Sequence, residues 1–265
     1  MQPLTEFSRE ARRALRGVLC DIDDTLSSEG RITAEAYSAM QRLQQAGLLV
    51  IPVTGRPAGW CDHIARMWPV DGVVGENGAF YFRYDTGARK MRRHFVDAAA
   101  TRAAHRTRLA HIAQEILNAV PGTAIAADQQ YRETDLAIDF CEDVTPLPQS
   151  AIDEIVMRME KHGLTAKVSS IHVNGWFGDY DKLGMSKTLM RVAFGVDLDV
   201  ARARYIFVGD SPNDAPMFGY FPHAVGVANM LEFGARVTPL PTYVSVQRCG
   251  AGFAEVADYV LAAKI

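Results

Sequence analysis

Three carboxylates, Asp21, Asp23 and Asp24, stand directly behind an apolar run in the segment GVLCDIDDTLSSEG. Like charges this close repel unless a cation or shared protons compensate them. A second acidic pair, Asp210 and Asp214, follows the apolar run YIFVG; Thr54 follows VIPV, and Lys187 opens the apolar segment KTLMRVAFG. Acidic oxygens drawn from two separate segments suit a hard cation such as Mg²⁺, which keeps waters and binds substrate phosphate beside one or two carboxylates. With that cation in place, one aspartate serves as an ionised nucleophile. Thr54 and the Lys187 ammonium then hold the charge that develops on a transferring phosphoryl group.

Residues so far apart in sequence meet only if the elements before them share one sheet edge. The runs ending at Cys20, Val53, Gly75 and Gly209 are nearly continuous in apolar residues, as in strands buried on both faces of a parallel sheet. Between the first two, RITAEAYSAMQRLQQAG carries an N-cap at Thr33, apolar positions at Ala36, Tyr37, Met40 and Leu43, and a stop at Gly47, and predicts an amphipathic helix. PAGWCDHIARMW predicts another, with Pro57 near its start. In open parallel sheets ligands bind outside the carboxyl ends of the strands, which is where each acid, Thr54 and Asp210 fall. After Gly78 the rhythm changes: a hairpin around Asp85-Thr86-Gly87, a long helix from about 98 to 119, and further short strands and a helix. The first rhythm returns near Met185. The expected fold is therefore α/β, a doubly wound parallel-sheet core formed by residues 1–81 and 181–265, with an α+β cap, 82–180, inserted into it.

The 265 residues carry a formal net charge of -3, which gives no global reason to expect nucleic acid, and no segment is apolar for long enough to span a membrane. The N-terminal segment lacks the apolar stretch of a secretory signal, so a cytoplasmic location is expected. Cys20, Cys61, Cys141 and Cys249 have no metal-site spacing and read as reduced thiols.

The segments LCDIDDTL, VIPVTGR, GMSKTL and FVGDSPND, in this order, resemble the haloacid dehalogenase-like hydrolases, whose motifs are Asp-x-Asp-x-Thr after a strand, Ser/Thr after a strand, a Lys, and Gly-Asp-x-x-x-Asp after a strand. GENGA and GVAN resemble the subgroup with Cof-type, sucrose-phosphate, mannosyl-phosphoglycerate and phosphomannomutase-like members, which carry the cap between the second and third motifs. The resemblance implies that Asp21 attacks phosphorus to give an aspartyl-phosphate. It also implies that Asp23 protonates the leaving oxygen and then activates water, with Thr54 and Lys187 supporting the phosphoryl group. Asp21, the backbone carbonyl of Asp23, Asp210 and Asp214 would hold or support Mg²⁺, and Ser211 and Asn213 would make secondary contacts.

Substrate choice is expected in the cap, through Arg132, His172, Asn174 and Trp176, and around Arg56 and Asn77 in the core. The expected activity is Mg²⁺-dependent hydrolysis of a small phosphomonoester, a sugar phosphate first, by a monomer or homodimer whose partner is a small phosphorylated metabolite. Three other readings share these residues: a phosphomutase that returns the phosphoryl group to a sugar, a receiver-like signalling domain, and a non-catalytic phosphate-binding module. Receivers lack the large insertion and the acid two residues after the nucleophile, and a silent module would be expected to have lost one of the four motif residues.

Overall fold

The structure, a computed structural model, describes residues 1–264. The chain opens with strand β1 (Gln2–Pro3), helix α1 (Arg9–Ala14), strand β2 (Gly17–Cys20) and a flap of two paired strands, β3 (Ser27–Ser28) and β4 (Arg31–Ile32). Helix α2 (Ala34–Gln45) begins at its sequence signal, since the Thr33 hydroxyl accepts the amide of Ala36 at 3.3 Å. Strand β5 (Leu49–Pro52), helix α3 (Ala58–Met67), strand β6 (Val73–Gly75) and the hairpin β7 (Phe80–Asp85) with β8 (Lys90–Phe95) follow. Then come helix α4 (Ala99–Ala119), strands β9 (Ala124–Ile125) and β10 (Asp135–Asp139), helix α5 (Gln149–Lys161), and strands β11 (Thr165–Val168) and β12 (His172–Trp176). The last part contains α6 (Lys182–Phe194), α7 (Leu198–Ala201), β13 (Tyr205–Gly209), α8 (Ala215–Tyr220), β14 (Val225–Gly226), β15 (Tyr243–Val244) and α9 (Cys249–Leu261).

Six strands form a parallel sheet in the order β1-β15-β14-β13-β2-β5. Its side chains alternate between two apolar clusters, as the twofold repeat of a strand requires. Val18, Cys20, Val50, Ile206 and Val208 face one cluster with α2, α3 and α9; Leu19, Ile51, Tyr205 and Phe207 face the other with α6 and α8. Helices therefore cover both faces, and the architecture is the expected doubly wound α/β fold. A third cluster, from Leu109 to Phe177, joins α4 and α5 to the antiparallel sheet β11-β12-β10-β9.

The boundary expected at Phe82 falls inside strand β7. Phe80 and Phe82 pack in the core cluster beside Cys61 and Ile64, β7 pairs with β6, and β6 continues the large sheet through the bridge Val53–Val74. The hairpin 80–95 thus extends the core, because Phe80 and Phe82 bury against α3 and Tyr81 joins the cluster under α6, not that of the inserted sheet. The chain passes to the third cluster after Phe95 and returns through residues 178–181.

Candidate active site

Asp21 follows β2, and its amide donates to the carbonyl of Val208 on β13 at 2.9 Å, so the two central strands fix where it stands. Asp210 follows β13 next door. Its amide donates to Asp214 Oδ2 at 3.1 Å in the turn 210–214, which draws Asp214 back toward the strand end. The carboxylates of Asp21, Asp210 and Asp214 lie within 4.8 Å of one another, all buried. Burial first, and then Asp21 and Asp214, push the Asp210 carboxyl well above the usual carboxylate range. Three buried acids against one cation leave a negative excess that protonation or a further cation relieves. The donor set is all oxygen, which fits a hard divalent cation.

That one cation is Lys182. Its Nζ donates to Asp21 Oδ1 at 3.0 Å and to Asp214 Oδ1 at 2.8 Å, and only 2% of the side chain is exposed. Burial works against its charge, but Asp21 and Asp214 outweigh burial and keep it protonated. Lys187, the lysine expected here, lies elsewhere: its Nζ pairs with Asp199 at 2.6 Å and sits over the Tyr220 ring, with the side chain 35% exposed. The correction has a local cause. Helix α6 does not start at Ser186 but at Lys182, because Asp181 caps it by accepting the amide of Gly184 at 2.7 Å. Lys182 is therefore the first helical residue and points at the strand ends, and Lys187 is more than a turn further on. The run GDYDKLG reads as polar loop, yet its Asp-Lys step was the available signal for the helix start.

Thr54 stands at the end of the second strand, its amide donating to Val74 O at 2.9 Å and its hydroxyl accepting the amide of Arg56 at 2.9 Å. Asp23 is turned away from the three-carboxylate cluster. Its carboxylate accepts from Arg56 Nη2 at 2.8 Å and Nε at 2.9 Å, so any share it takes in a metal site is through its backbone. Ser211 and Asn213 bond each other at 2.9 Å beside Asp210. Asn229 and Thr25, which sequence reasoning missed, each donate to Asp210, at 3.4 and 3.3 Å.

The inserted unit lies directly over these residues. Ser169, Ile171, His172, Asn174 and Arg132 face Asp21 and Asp23 across a cleft of only about 10 Å³, roughly the room of one water molecule. Arg132 is held by Asp128 and Asp135 and donates to the carbonyl of Gly55 at 2.8 Å; Asn174 donates to Asp135 at 2.9 Å. Arg132 therefore braces the cap against the core, and Asn174 is held within the cap. Trp176 is 1% exposed, stacks on Tyr180 and donates to the Tyr180 carbonyl, so its ring has little free face. His172 lies 2.9 Å from Glu142, which also takes Arg56 Nη2 at 2.6 Å. Arg56, from the core, so links Asp23 to Glu142 and Asp128 of the inserted unit.

Glu76 ties the two units more firmly. Fully buried, it accepts the amide of Ala58 at the start of α3 and, from the other unit, the amides of Glu133 at 2.9 Å and Thr134 at 2.7 Å, with the Thr134 hydroxyl. Glu76→Ala leaves these donors without an acceptor, so the variant is expected to lose on the order of 3 kcal/mol in denaturant unfolding. A loss under about 0.5 kcal/mol would show that the three contacts across the boundary do not hold the units together.

Residues 18–118 match the model of the haloacid dehalogenase-like hydrolase family. A phosphoglycolate phosphatase of Methanoculleus marisnigri is 26% identical over 243 residues, covering 91% of this chain and 94% of that protein. A Thermoplasma acidophilum protein has the same fold with a TM-score of 0.70 at 17% identity, over 93% of this chain and 98% of its own. The sucrose-phosphatase of Synechocystis, solved with sucrose and phosphate, gives a TM-score of 0.62 at 13% identity over 93% and 98%. Asp21 behind β2 and Asp214 in the turn after β13 thus meet on one buried lysine, and over residues 18–118 the chain is similar to the haloacid dehalogenase-like hydrolases.

Proposed function

We propose that this protein is a Mg²⁺-dependent phosphatase that hydrolyses a small phosphomonoester, a sugar phosphate by preference, through an aspartyl-phosphate on Asp21. The observation that carries the reading is the buried set Asp21, Asp210, Asp214 and Lys182 at adjoining strand ends, with Thr54 beside it. The phosphatase names of the Methanoculleus and Synechocystis proteins support the same reaction class.

In the first step an Asp21 carboxylate oxygen forms a bond to phosphorus while the bond from phosphorus to the ester oxygen breaks, and Asp23 gives that oxygen its proton. In the second, Asp23 takes a proton from water as the water oxygen attacks phosphorus, releasing phosphate and restoring Asp21. Arg56 orients Asp23 through two nitrogens. Lys182 and Thr54 hold the phosphoryl oxygens, a role the ammonium can fill because its position is fixed before substrate arrives. Asp21, the Asp23 carbonyl and Asp210 would hold the Mg²⁺, with Asp214 supporting. When bound it supplies the positive charge that lets an anionic ester approach a carboxylate.

The cleft directly between Asp21 and the inserted unit is too narrow for an ester, so a substrate seated at that point requires the unit to shift. Residues near the leaving group, His172 and Asn174 among them, then select it, and the core contacts the phosphoryl group alone.

Phosphate release from p-nitrophenyl phosphate should fall to background after chelation and dialysis and return on adding Mg²⁺. Turnover at the full rate without metal would defeat the metal assignment. A phosphomutase would instead convert one sugar phosphate into its isomer without releasing phosphate, and a panel of sugar phosphates assayed for both products separates the two.

A further inference from the structure

The turn after β6, Gly75-Glu76-Asn77-Gly78, holds three successive residues in the left-handed region, with φ of 42° at Glu76, 53° at Asn77 and 110° at Gly78. Such backbone is unfavourable for residues with a Cβ and persists only where the surroundings enforce it. Two contacts enforce it here. The Asn77 amide donates to the carbonyl of Thr54 at 3.0 Å, and Gly78 lies so close to Asp181 that an added Cβ would come within 2.0 Å of its carbonyl oxygen. The turn is thereby wedged between the loop that carries Thr54 and the first residue of α6, Lys182.

The side chain of Asn77 occupies that wedge. It is 3% exposed, and neither its Oδ1 nor its Nδ2 finds a hydrogen-bond partner in the protein. A buried amide without partners is rare in a folded protein, and each such group asks for an explanation. Its position is tightly defined, since a Cβ on Gly55 would lie 3.1 Å from Nδ2. The residue also lines, with Lys182 and Asn213, a cavity of about 300 Å³. Two of the groups around this amide, Thr54 and Lys182, are those assigned to the phosphoryl oxygens, which are strong acceptors.

We propose that Asn77 is a further catalytic residue, whose side-chain N–H donates to an oxygen of the phosphoryl group. This rests on the phosphatase reading above. The amide adds a neutral, pre-positioned donor beside the Lys182 ammonium. An asparagine meets both demands, since it tolerates left-handed backbone better than most residues with a Cβ and carries a donor.

The test compares wild type with Asn77→Gly and Asn77→Asp for phosphate release from p-nitrophenyl phosphate, orthovanadate affinity and thermal stability, all with Mg²⁺ present. Glycine suits the left-handed turn, so that variant keeps the backbone and deletes only the amide. The expected result is a kcat/KM and an orthovanadate affinity both lower by about 10- to 100-fold, with a melting temperature equal to or above wild type. Asn77→Asp, the same in shape but with an anionic oxygen in place of the donor, should fall further. Wild-type turnover and orthovanadate affinity in Asn77→Gly overturn the proposal alone. Absence of both hydrolysis and orthovanadate binding in the wild type overturns the phosphatase reading together with it.

Discussion

Asp21→Asn should lose phosphatase turnover by more than about 10⁴-fold while folding as well as the wild type or better. The neutral amide keeps the shape of the aspartate but cannot form the acyl-phosphate, and groups that act as one unit give near-total losses when any is removed. Stability should move the other way. Asp21 is one of three buried carboxylates facing a single ammonium, and burial, with Asp214 and Asp23, raises its carboxyl well above the ordinary range against the pull of Lys182. Removing that charge relieves the metal-free protein, a trade expected of a residue kept for chemistry and not for folding. Asp23→Asn gives a different pattern, a loss of about 10²- to 10⁴-fold, since general acid–base help is what it removes. Rate assays and melting curves on the two variants check both statements; an active Asp21→Asn protein would refute the nucleophile.

Lys182→Met should cost about 10²- to 10³-fold in kcat and also destabilise the fold, whereas Lys187→Met should stay within about twofold of wild type. The contrast follows from surroundings. Lys182 is buried between Asp21 and Asp214, and its removal leaves two buried carboxylates without their partner, a defect of about 3–5 kcal/mol. Lys187 is a partly exposed member of a pair with Asp199. Steady-state kinetics on both variants decide it, and equal losses would mean that α6 delivers its function through Lys187 after all.

That pair of lysines also shows how far the sequence could be read. The strand-end residues Asp21, Thr54 and Asp210 were legible because a buried parallel strand leaves a long apolar signature and stops abruptly at a polar residue. The lysine was not, because its position depends on a helix start, and the cap residue Asp181 is one of two acids in a polar run. Strand β12 escaped for a related reason: HVNGW mixes polar and apolar residues, and its buried His172 and Asn174 find their partners, Glu142 and Asp135, some 30 to 40 residues away. Glu76, Glu142 and Asp128 acquire their roles from contacts between residues far apart in sequence, across the two units, and no local pattern encodes those. The hairpin 80–95 looked like the start of the inserted unit since its alternation differs from the parallel strands, but alternation records one buried face and not which core covers it.

The central claim, that the phosphoryl group passes through Asp21, is tested most directly by trapping it there. In Asp23→Asn, p-nitrophenyl phosphate should still phosphorylate the enzyme, because p-nitrophenolate leaves with little help from a proton. Hydrolysis of the aspartyl-phosphate, which needs Asp23 as base, should stall. Acid quench followed by peptide mass spectrometry should then find one phosphoryl group per chain, on the peptide containing Asp21 and at that residue. Nitrophenol formed in molar excess over enzyme with no phosphoryl group on the protein, or with the group on another residue, would contradict the account.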